Sequence, residues 1–392
     1  MFDRMEGSLL IALNQDVVDV SDVAIENDEY HMIDRIEIQN FRGFRTLSLS
    51  GLGRINVVVG KNASGKTALL EAIRLGLAGT PQILWQTNQQ RMPGYGFAIP
   101  PTQESFESIW NPSFYNLDSS LPIVIDCHDS RGNSSHLKIF YDNDRAITAI
   151  PNQTSIAPSG AIALLPPSNI APLIFERTDF NGNESKLSAS MGNQGNIQMD
   201  QGPELGIVSE FYSANAFLNG PQNAQAFSAL SINNREGQVV DAMKEEFSPL
   251  ISELVVLSAT QIPGIYAVVP GFREKVPLAL LSSGVNKLFT ILSAMILRGD
   301  GVVLLDEIDN GFYYDRLETI WRLIYRLSIK HNTQVFASTH SQECLKALAK
   351  VVKGNETDFN LLHAERDKDG ISVTQVEGEF FEDAIEQGFE VR

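Results

Sequence analysis

The sequence is poor in cysteine and in long apolar runs. Its 392 residues include 2 cysteines, Cys127 and Cys344, which lie far apart and form no Cys-x-x-Cys pair. This argues against a disulfide framework or a zinc site and fits a reducing compartment. No uninterrupted apolar stretch approaches the roughly 18 residues of a spanning helix, and the N-terminus lacks a basic region followed by an apolar one. We therefore expect a cytoplasmic protein without a membrane partner.

Basic residues are also scarce, because 30 Lys and Arg stand against 48 Asp and Glu, for a formal net charge of -18. An extensive nucleic-acid footprint would need basic residues clustered against this balance. Residues 1–31 are the most acidic part, with Arg4 their one Lys or Arg. We predict a solvated acidic extension there. The composition, 43% hydrophobic, is sufficient for a substantial core elsewhere.

Composition and periodicity divide the rest of the chain into three parts. Residues 32–80 predict a strand hairpin, a short buried strand and a helix. Residues 81–235 are rich in Pro, Asn, Gln and Ser, so we predict an inserted lobe of strands and loops, with a mobile loop at 181–205. In residues 236–392 strands alternate with helices, which indicates a parallel sheet covered on both faces. The predicted class is α/β, with 32–80 and 236–392 building one core.

The segment from Gly60 to Thr67 matches the pattern G-x-x-x-x-G-K-[ST] at every position. Its glycines allow the backbone to curl around a phosphate, beside the positive end of the following helix. We expect Lys66 to reach the β- and γ-phosphates and Thr67 to ligate Mg²⁺. The alternative is an ordinary Gly-rich turn, but a buried strand before it and a helix after it are the context that the motif requires. The candidate nucleotide-binding residues are Gly60, Lys61, Asn62, Ala63, Ser64, Gly65, Lys66 and Thr67.

Two carboxylates, Asp306 and Glu307, follow the apolar stretch Val302–Leu305. At the carboxyl end of a parallel strand, Asp306 can hold Mg²⁺ through water. Glu307 can accept a proton from an attacking water, or orient that water. The alternative is that both residues simply end a strand and cap the next helix.

His340 follows the predicted strand Val335–Ala337 and stands 33 residues after Glu307. A lone histidine is more often structural than catalytic. Because a neighbouring strand end brings His340 towards the edge of the sheet that carries Glu307, we favour a contact with the γ-phosphate.

A second candidate anion site lies at the start of a predicted helix, 24 residues before Asp306. By itself, Ser-Ser-Gly before a helix is an ordinary N-cap. The N-terminus of a helix also binds anions, and with one phosphate site already present, a second suggests a composite site shared with another molecule. The candidate residues are Ser282, Ser283 and Gly284.

Together these motifs resemble the ABC-type ATPases of the SMC, RecF and OLD group, particularly compact AAA-family ATPases of OLD type. The likeness covers roughly residues 32–80 and 270–345. It implies a P-loop NTPase head of ABC type, with a mixed or parallel sheet flanked by helices and an inserted strand- and loop-rich lobe. The similar segments are Asn40–Phe44 (first-strand motif), Gly60–Thr67 (Walker A), Leu281–Gly284 (signature), Asp306-Glu307 (Walker B) and His340 (switch histidine).

The resemblance implies a head-to-tail homodimer, or a higher even-numbered assembly, that sandwiches two ATP molecules. Each P-loop would face Ser282 and Gly284 of the other copy, and Arg42 would lie near the nucleotide. OLD enzymes also carry a nuclease domain, and the 52 residues after His340 are too few for one. We therefore expect an effector protein that acts in trans, for example a nuclease.

Some positions depart from the group. Val285-Asn286 stands where the transporter signature has a Gln, and Asn310–Tyr314 occupies a region where many OLD-type sequences have Leu-His-Pro. No heptad tract is present, which excludes a coiled-coil SMC protein. The Q-loop glutamine is not assigned; its candidates are Gln82, Gln86 and Gln89.

Three hypotheses follow. The first is a cytoplasmic ATPase that dimerises on ATP, hydrolyses it slowly and gates a partner effector in phage defence or DNA maintenance. The second is a RecF-like clamp that contacts DNA directly in an ATP-dependent manner. The third is a scaffold that binds ATP without hydrolysing it, although the intact Asp306-Glu307 pair argues against this.

Overall fold

The computed structural model describes residues 32–92, 99–149, 154–156, 162–164, 167–214, 220–247, 250–258, 262–368 and 370–386. The predicted acidic extension, 1–31, lies outside the described residues. Within them, no helix is both long and apolar enough to cross a membrane.

The strands of the described residues are, in chain order, β1 (Ile33–Phe41), β2 (Phe44–Ser50), β3 (Ile55–Val59), β4 (Ile123–Asp129), β5 (Ser134–Tyr141), β6 (Ile147–Ala149), β7 (Thr154–Ile156), β8 (Ile162–Leu164), β9 (Ser168–Ile170), β10 (Leu173–Thr178), β11 (Glu184–Met191), β12 (Ile197–Met199), β13 (Ser209–Tyr212), β14 (Glu253–Leu257), β15 (Gly264–Val268), β16 (Val276–Pro277), β17 (Val302–Leu305), β18 (Gln334–Ser338), β19 (Phe359–Arg366) and β20 (Ile371–Glu377). The α-helices are α1 (Lys66–Ala78), α2 (Pro81–Arg91), α3 (Gln103–Trp110), α4 (Gly220–Ile232), α5 (Glu236–Phe247), α6 (Leu278–Leu281), α7 (Ser283–Leu297), α8 (Leu317–Lys330), α9 (Gln342–Val352) and α10 (Phe381–Glu386).

The central sheet has six strands in the order β13-β17-β18-β3-β19-β20. Its strands are parallel apart from β20, which is antiparallel to β19. β3, from the first part of the chain, lies between β18 and β19 from the last part, so strands from both parts form one sheet. Strands such as β17 are buried along their whole length, because both faces of a parallel sheet are covered.

Successive residues of β17 face two different cores. Val303 and Leu305 belong to the cluster that includes the apolar residues of α7, α8 and α9. Val302 and Leu304 belong to a second cluster, which includes α1 and the inner face of the other large sheet. This alternation follows from the two-residue period of a strand. Helix α1, which begins in the P-loop, is therefore packed among apolar residues of both sheets.

The second large sheet has seven antiparallel strands in the order β12-β11-β10-β5-β4-β1-β2. It corrects the picture of 81–235 as an inserted lobe of strands and loops. Strands β4, β5 and β10–β12 of that range extend the N-terminal hairpin, whereas β13 joins the central sheet and α4 packs on α7, with the rings of Phe227 and Phe289 5.9 Å apart. The reason is that alternate buried residues of β4, such as Ile123 and Ile125, continue the apolar face of β1.

The prediction of a mobile loop over 181–205 is wrong. Two strands, β11 and β12, lie in that range, and β11 pairs with β10 from Glu184 to Ala189. Leu187, Ala189 and Met191 alternate as buried residues along β11. Because Ala189 and the two serines beside it are all small, the sequence gave little sign of this two-residue period.

Candidate nucleotide site

The loop Gly60–Thr67 joins β3 to α1 in a conformation that depends on its glycines. Gly60 has a φ of +138° and Gly65 a φ of +105°, values that residues other than glycine rarely adopt. A Cβ atom on Gly60 would lie 2.2 Å from the carbonyl oxygen of Ala364, in β19. The loop is therefore held close to the neighbouring strand at the N-terminus of α1, where anions bind favourably.

Lys66, the first residue of α1, closes this loop. Its Nζ donates hydrogen bonds to the carbonyl oxygens of Gly60 at 2.7 Å and Lys61 at 2.9 Å. Burial lowers the pKa of Lys66, and the negative charges of Asp306 and Glu307 oppose that shift. Ser64 Oγ is buried without a hydrogen-bond partner among the described residues. A phosphate oxygen would satisfy this hydroxyl.

Asp306 follows β17, and its carboxylate contacts a residue of α1 and a residue of β18. Thr67 Oγ1 donates to its two carboxylate oxygens at 3.2 and 3.0 Å. Ser338 Oγ, at the end of the adjacent strand β18, donates to Asp306 Oδ1 at 2.5 Å. The hydroxyl of Thr67 and the carboxylate of Asp306 are hard oxygen donors of the kind that Mg²⁺ prefers.

Glu307 has an unusual backbone, with φ +50°. A non-glycine residue in this region costs roughly 1–2 kcal/mol, and three hydrogen bonds stabilise the conformation. The N–H of Glu307 donates to Ser338 Oγ at 2.8 Å, its carbonyl accepts from Lys287 Nζ at 2.6 Å, and its carboxylate accepts from Asn310 Nδ2. Burial lowers the pKa of Lys287 to about 8. These contacts fix where the Glu307 carboxylate points.

The loop and the acidic pair line one cleft of about 560 Å³, together with Arg42 and Arg91. Arg42, in the turn between β1 and β2, has φ +50°, and burial lowers its pKa to about 10. Its Nε lies 2.7 Å from Glu71 Oε2. The structure therefore places Arg42 beside the P-loop.

Not every predicted residue faces this cleft. His340 is half-buried after β18, and it is not one of the described residues that line the cleft. Ser282 caps α7 by accepting a hydrogen bond from the Val285 N–H at 3.1 Å, with Ser283 as the first residue of that helix. Ser282 and Gly284 line a different cavity, which includes Tyr313. Within one chain, the P-loop and the Ser282–Gly284 segment are thus apart.

Several residues that line the cleft or lie behind its wall escaped the sequence analysis. Ser338, two residues before His340, was not singled out, yet its hydroxyl joins Asp306 to Glu307. Arg366, at the end of β19, donates through Nε to the carbonyl oxygen of Ala63 at 2.9 Å. Glu71 and Arg91 form an ion pair at the cleft wall. Glu71 follows Thr67 by four residues, so it lies on the same side of α1, and this spacing was the available signal.

Two models of AAA ATPase domains match the chain. One, described as "AAA ATPase domain", matches residues 32–144, which include the P-loop. The other, described as "AAA domain, putative AbiEii toxin, Type IV TA system", matches residues 169–345, which include Asp306, Glu307 and His340.

The chain is also similar to characterised proteins. It is 24% identical over 349 residues to an ATP/GTP phosphatase of Helicobacter pylori, and the match covers 84% of this chain and 90% of that protein. A local match, 46% identical over 41 residues, links it to the DNA replication and repair protein RecF of Bacillus cytotoxicus and covers 10% of this chain and 11% of that protein. Among solved structures, an SMC head bound to the C-winged helix domain of ScpA has a TM-score of 0.45 at 13% identity, covering 88% of this chain and 98% of the other.

The matches to the AAA models and to the phosphatase identify the class of protein. The chain is a P-loop ATPase, an enzyme that binds ATP and hydrolyses it. Within that class, residues 32–144 and 169–345 are similar to AAA ATPase domains.

Proposed function

We propose that two copies of this ATPase close head-to-tail on ATP, hydrolyse it slowly, and use the open and closed states to gate an effector protein. The observation that supports this is the separation of the two candidate anion sites. The P-loop lines one cleft, whereas Ser282 and Gly284 line another cavity of the same chain. A second copy brings its Ser282–Gly284 segment to the open side of the first cleft, and the reciprocal contact completes the second cleft. Higher assemblies then contain an even number of heads.

The chemistry of the closed site follows from the residues present. In this proposal Gly60–Thr67 bind the phosphates, and Thr67 and Asp306 hold a Mg²⁺ ion, which neutralises phosphate charge when bound. Glu307 accepts a proton from the attacking water or orients it. His340 contacts the γ-phosphate in the closed dimer.

In this proposal, nucleotide binding changes the balance between the open and closed states of the dimer. A γ-phosphate that contacts residues of both copies favours the closed state, and its hydrolysis removes that preference. We propose a partner effector in trans, such as a nuclease, that responds to this change. We propose that this effector acts in phage defence or DNA maintenance; the description of the model that matches 169–345 names a toxin of a toxin–antitoxin system.

The decisive experiment compares two variants by light scattering coupled to size exclusion, with ATP, with ADP and without nucleotide. Glu307→Gln keeps the binding site but loses the proton acceptor, so it should accumulate an ATP-bound dimer. Lys66→Ala should bind no nucleotide and remain in the nucleotide-free state. Glu184→Gln, at an exposed position of β11, is the matched control. If Glu307→Gln with bound ATP stays monomeric, the dimer proposal fails.

A second candidate function is an ATP-dependent DNA clamp, which the local match to RecF favours. It predicts that the isolated protein binds duplex DNA only with ATP and with a steep salt dependence. The net charge of -18 weighs against it. Absence of DNA binding by the dimeric Glu307→Gln variant would eliminate this candidate.

A further inference from the structure

Helix α2 carries an arginine into the nucleotide cleft. Arg91 is the last residue of α2, and its side chain lines the cleft with Lys66, Thr67, Asp306 and Glu307. It keeps 42% of its side-chain surface exposed. The side chain is therefore partly accessible from the cleft.

Glu71 holds this guanidinium in place. Arg91 Nε lies 2.8 Å from Glu71 Oε1, and Arg91 Nη2 lies 2.9 Å from Glu71 Oε2, a bidentate arrangement that fixes the plane of the group. Glu71 is only 2% exposed and stands one helical turn after Thr67 on α1. Because the P-loop ends at Thr67, the same helix positions both the phosphate loop and Arg91.

The charges of Arg42, Glu71 and Arg91 do not balance within this cluster. The one carboxylate of Glu71 contacts two guanidinium groups, since Arg42 Nε also lies 2.7 Å from Glu71 Oε2. One positive charge of the Arg42–Glu71–Arg91 cluster is left over. Burial opposes the charge of Arg91, but the hydrogen bond and charge of Glu71, together with the charge of Asp306, raise its pKa. The excess charge thus lies within electrostatic reach of the residue proposed to bind Mg²⁺.

The glutamines considered for a Q-loop lie elsewhere. Gln82 Nε2 donates to the carbonyl oxygen of Asp200, and Gln86 accepts from Arg74 Nη2. Gln86 and Gln89 line a separate cavity beside α4 and α7. None of the three lines the nucleotide cleft. Among the described residues of α2, Arg91 is the one that reaches this cleft.

We propose that Arg91 binds the terminal phosphate of the nucleoside triphosphate in the same chain, with Glu71 holding its guanidinium in position. This inference rests on the proposed nucleotide site. The N–H groups of Arg91 that do not contact Glu71 donate to γ-phosphate oxygens, and the excess positive charge is neutralised by the ligand. Because ADP lacks this phosphate, Arg91 discriminates ATP from ADP.

The test measures the affinity of the full chain for ATP and for ADP by isothermal titration with Mg²⁺. Loss of a charge-assisted hydrogen bond should weaken ATP binding by Arg91→Gln about 10- to 100-fold, with ADP binding within about 2-fold of the wild type. Arg91→Lys keeps the charge but not the forked guanidinium, so its affinity for ATP should lie between those of Arg91→Gln and the wild type. Arg326→Gln is the matched control, because Arg326 forms a similar ion pair with the exposed Glu245, outside the cleft.

Equal affinities of Arg91→Gln and wild type for ATP would overturn the proposal, and so would a parallel loss of ATP and ADP binding. If Arg91→Gln does not fold, Arg91→Lys replaces it. A ratio of ATP affinity to ADP affinity below that of the wild type then supports the proposal, and an unchanged ratio overturns it. Failure of the proposed nucleotide site looks different. In that case the wild type itself binds neither nucleotide, or Lys66→Ala binds as well as the wild type does.

Discussion

Ser338 Oγ lies 2.5 Å from Asp306 Oδ1 and donates a hydrogen bond to it. The same hydroxyl accepts the backbone N–H of Glu307 at 2.8 Å. One fully buried side chain on β18 therefore fixes both acidic residues that follow β17. The relationship joins the proposed metal ligand to the proposed proton acceptor through the neighbouring strand.

Replacing Ser338 by Ala should slow ATP turnover while leaving the fold intact. The variant loses a hydrogen bond to a charged group, worth about 1.5–3 kcal/mol, and leaves the backbone of Glu307 without one support for its φ of +50°. We expect kcat to fall about 10- to 100-fold. Phosphate release at saturating Mg²⁺ and ATP measures it. Ser328→Ala is the control, because Ser328 is also fully buried but donates to Tyr325 on α8. Wild-type kcat in Ser338→Ala would refute the role.

Gly284→Ala tests the composite site from its other side. A Cβ atom there would lie 2.4 Å from the carbonyl oxygen of Gly311, which is backbone and cannot simply rotate away. The N-terminus of α7 and the segment around Gly311 must therefore shift apart. We expect each chain to bind ATP as before, because the P-loop lines another cleft, while the ATP-dependent dimer is lost.

Calorimetry and light scattering on the same sample separate these two effects. Gly237→Ala is the control, because Gly237 lies in α5 with no neighbouring atom within 4 Å of the added Cβ. A Gly284→Ala variant that dimerises with ATP as the wild type does would count against a contact at this helix start.

Glu71→Gln should destabilise the protein strongly. The substitution leaves Arg42 and Arg91 close together without the charge that they share, and breaking a buried ion pair costs about 3–5 kcal/mol. Glu318→Gln provides a matched comparison, since Glu318 also contacts two cations, Arg322 and Lys350, but at the surface. That variant should lose no more than about 1 kcal/mol. Thermal unfolding of both variants measures the difference, and equal melting temperatures would contradict the argument.

The parts of the site that the sequence could predict are those defined by local order along the chain. The glycines of Gly60–Thr67 stand between a buried strand and a helix, so the conformation of that loop depends on neighbouring residues. Val302–Leu305 is a continuous apolar run, which is typical of a strand buried on both faces, and Asp306 follows it directly. The parallel arrangement of β17, β18 and β3 then brings these segments together.

The parts that could not be predicted depend on how distant elements pack. Nothing near Arg91 in the sequence indicates that α2 folds back along α1, so its ion pair with Glu71, 20 residues earlier, becomes visible only in the fold. The role of Ser338 could not be predicted either. A serine at a strand end can have many roles, and its partner Asp306 is 32 residues away in the sequence. β11 was missed because it lies in a segment rich in Asn, Gly, Ser and Gln and has only two large apolar side chains, Leu187 and Met191.

His331 should make the stability of the protein fall in acid. It lies after α8, and its Nδ1 is 3.1 Å from Arg235 Nη2, which donates to the neutral imidazole. Burial, and then the positive charges of Arg235 and Lys330, lower its pKa from 6.5 to about 4. Since the unfolded chain binds a proton more readily than the folded one, the stabilisation is complete above pH 6.5 and is lost as the pH falls towards 4.

The measurement is thermal unfolding between pH 7.5 and pH 5.5, which stays above the sequence pI of about 4.8. In His331→Gln the amide still accepts from Arg235 but does not titrate, so the fall in melting temperature over this range should be smaller than in the wild type. Arg235→Gln removes only the positive charge of Arg235, so its fall in melting temperature should lie between those of the wild type and His331→Gln. If His331→Gln loses as much stability as the wild type does over this range, the acid sensitivity has another origin.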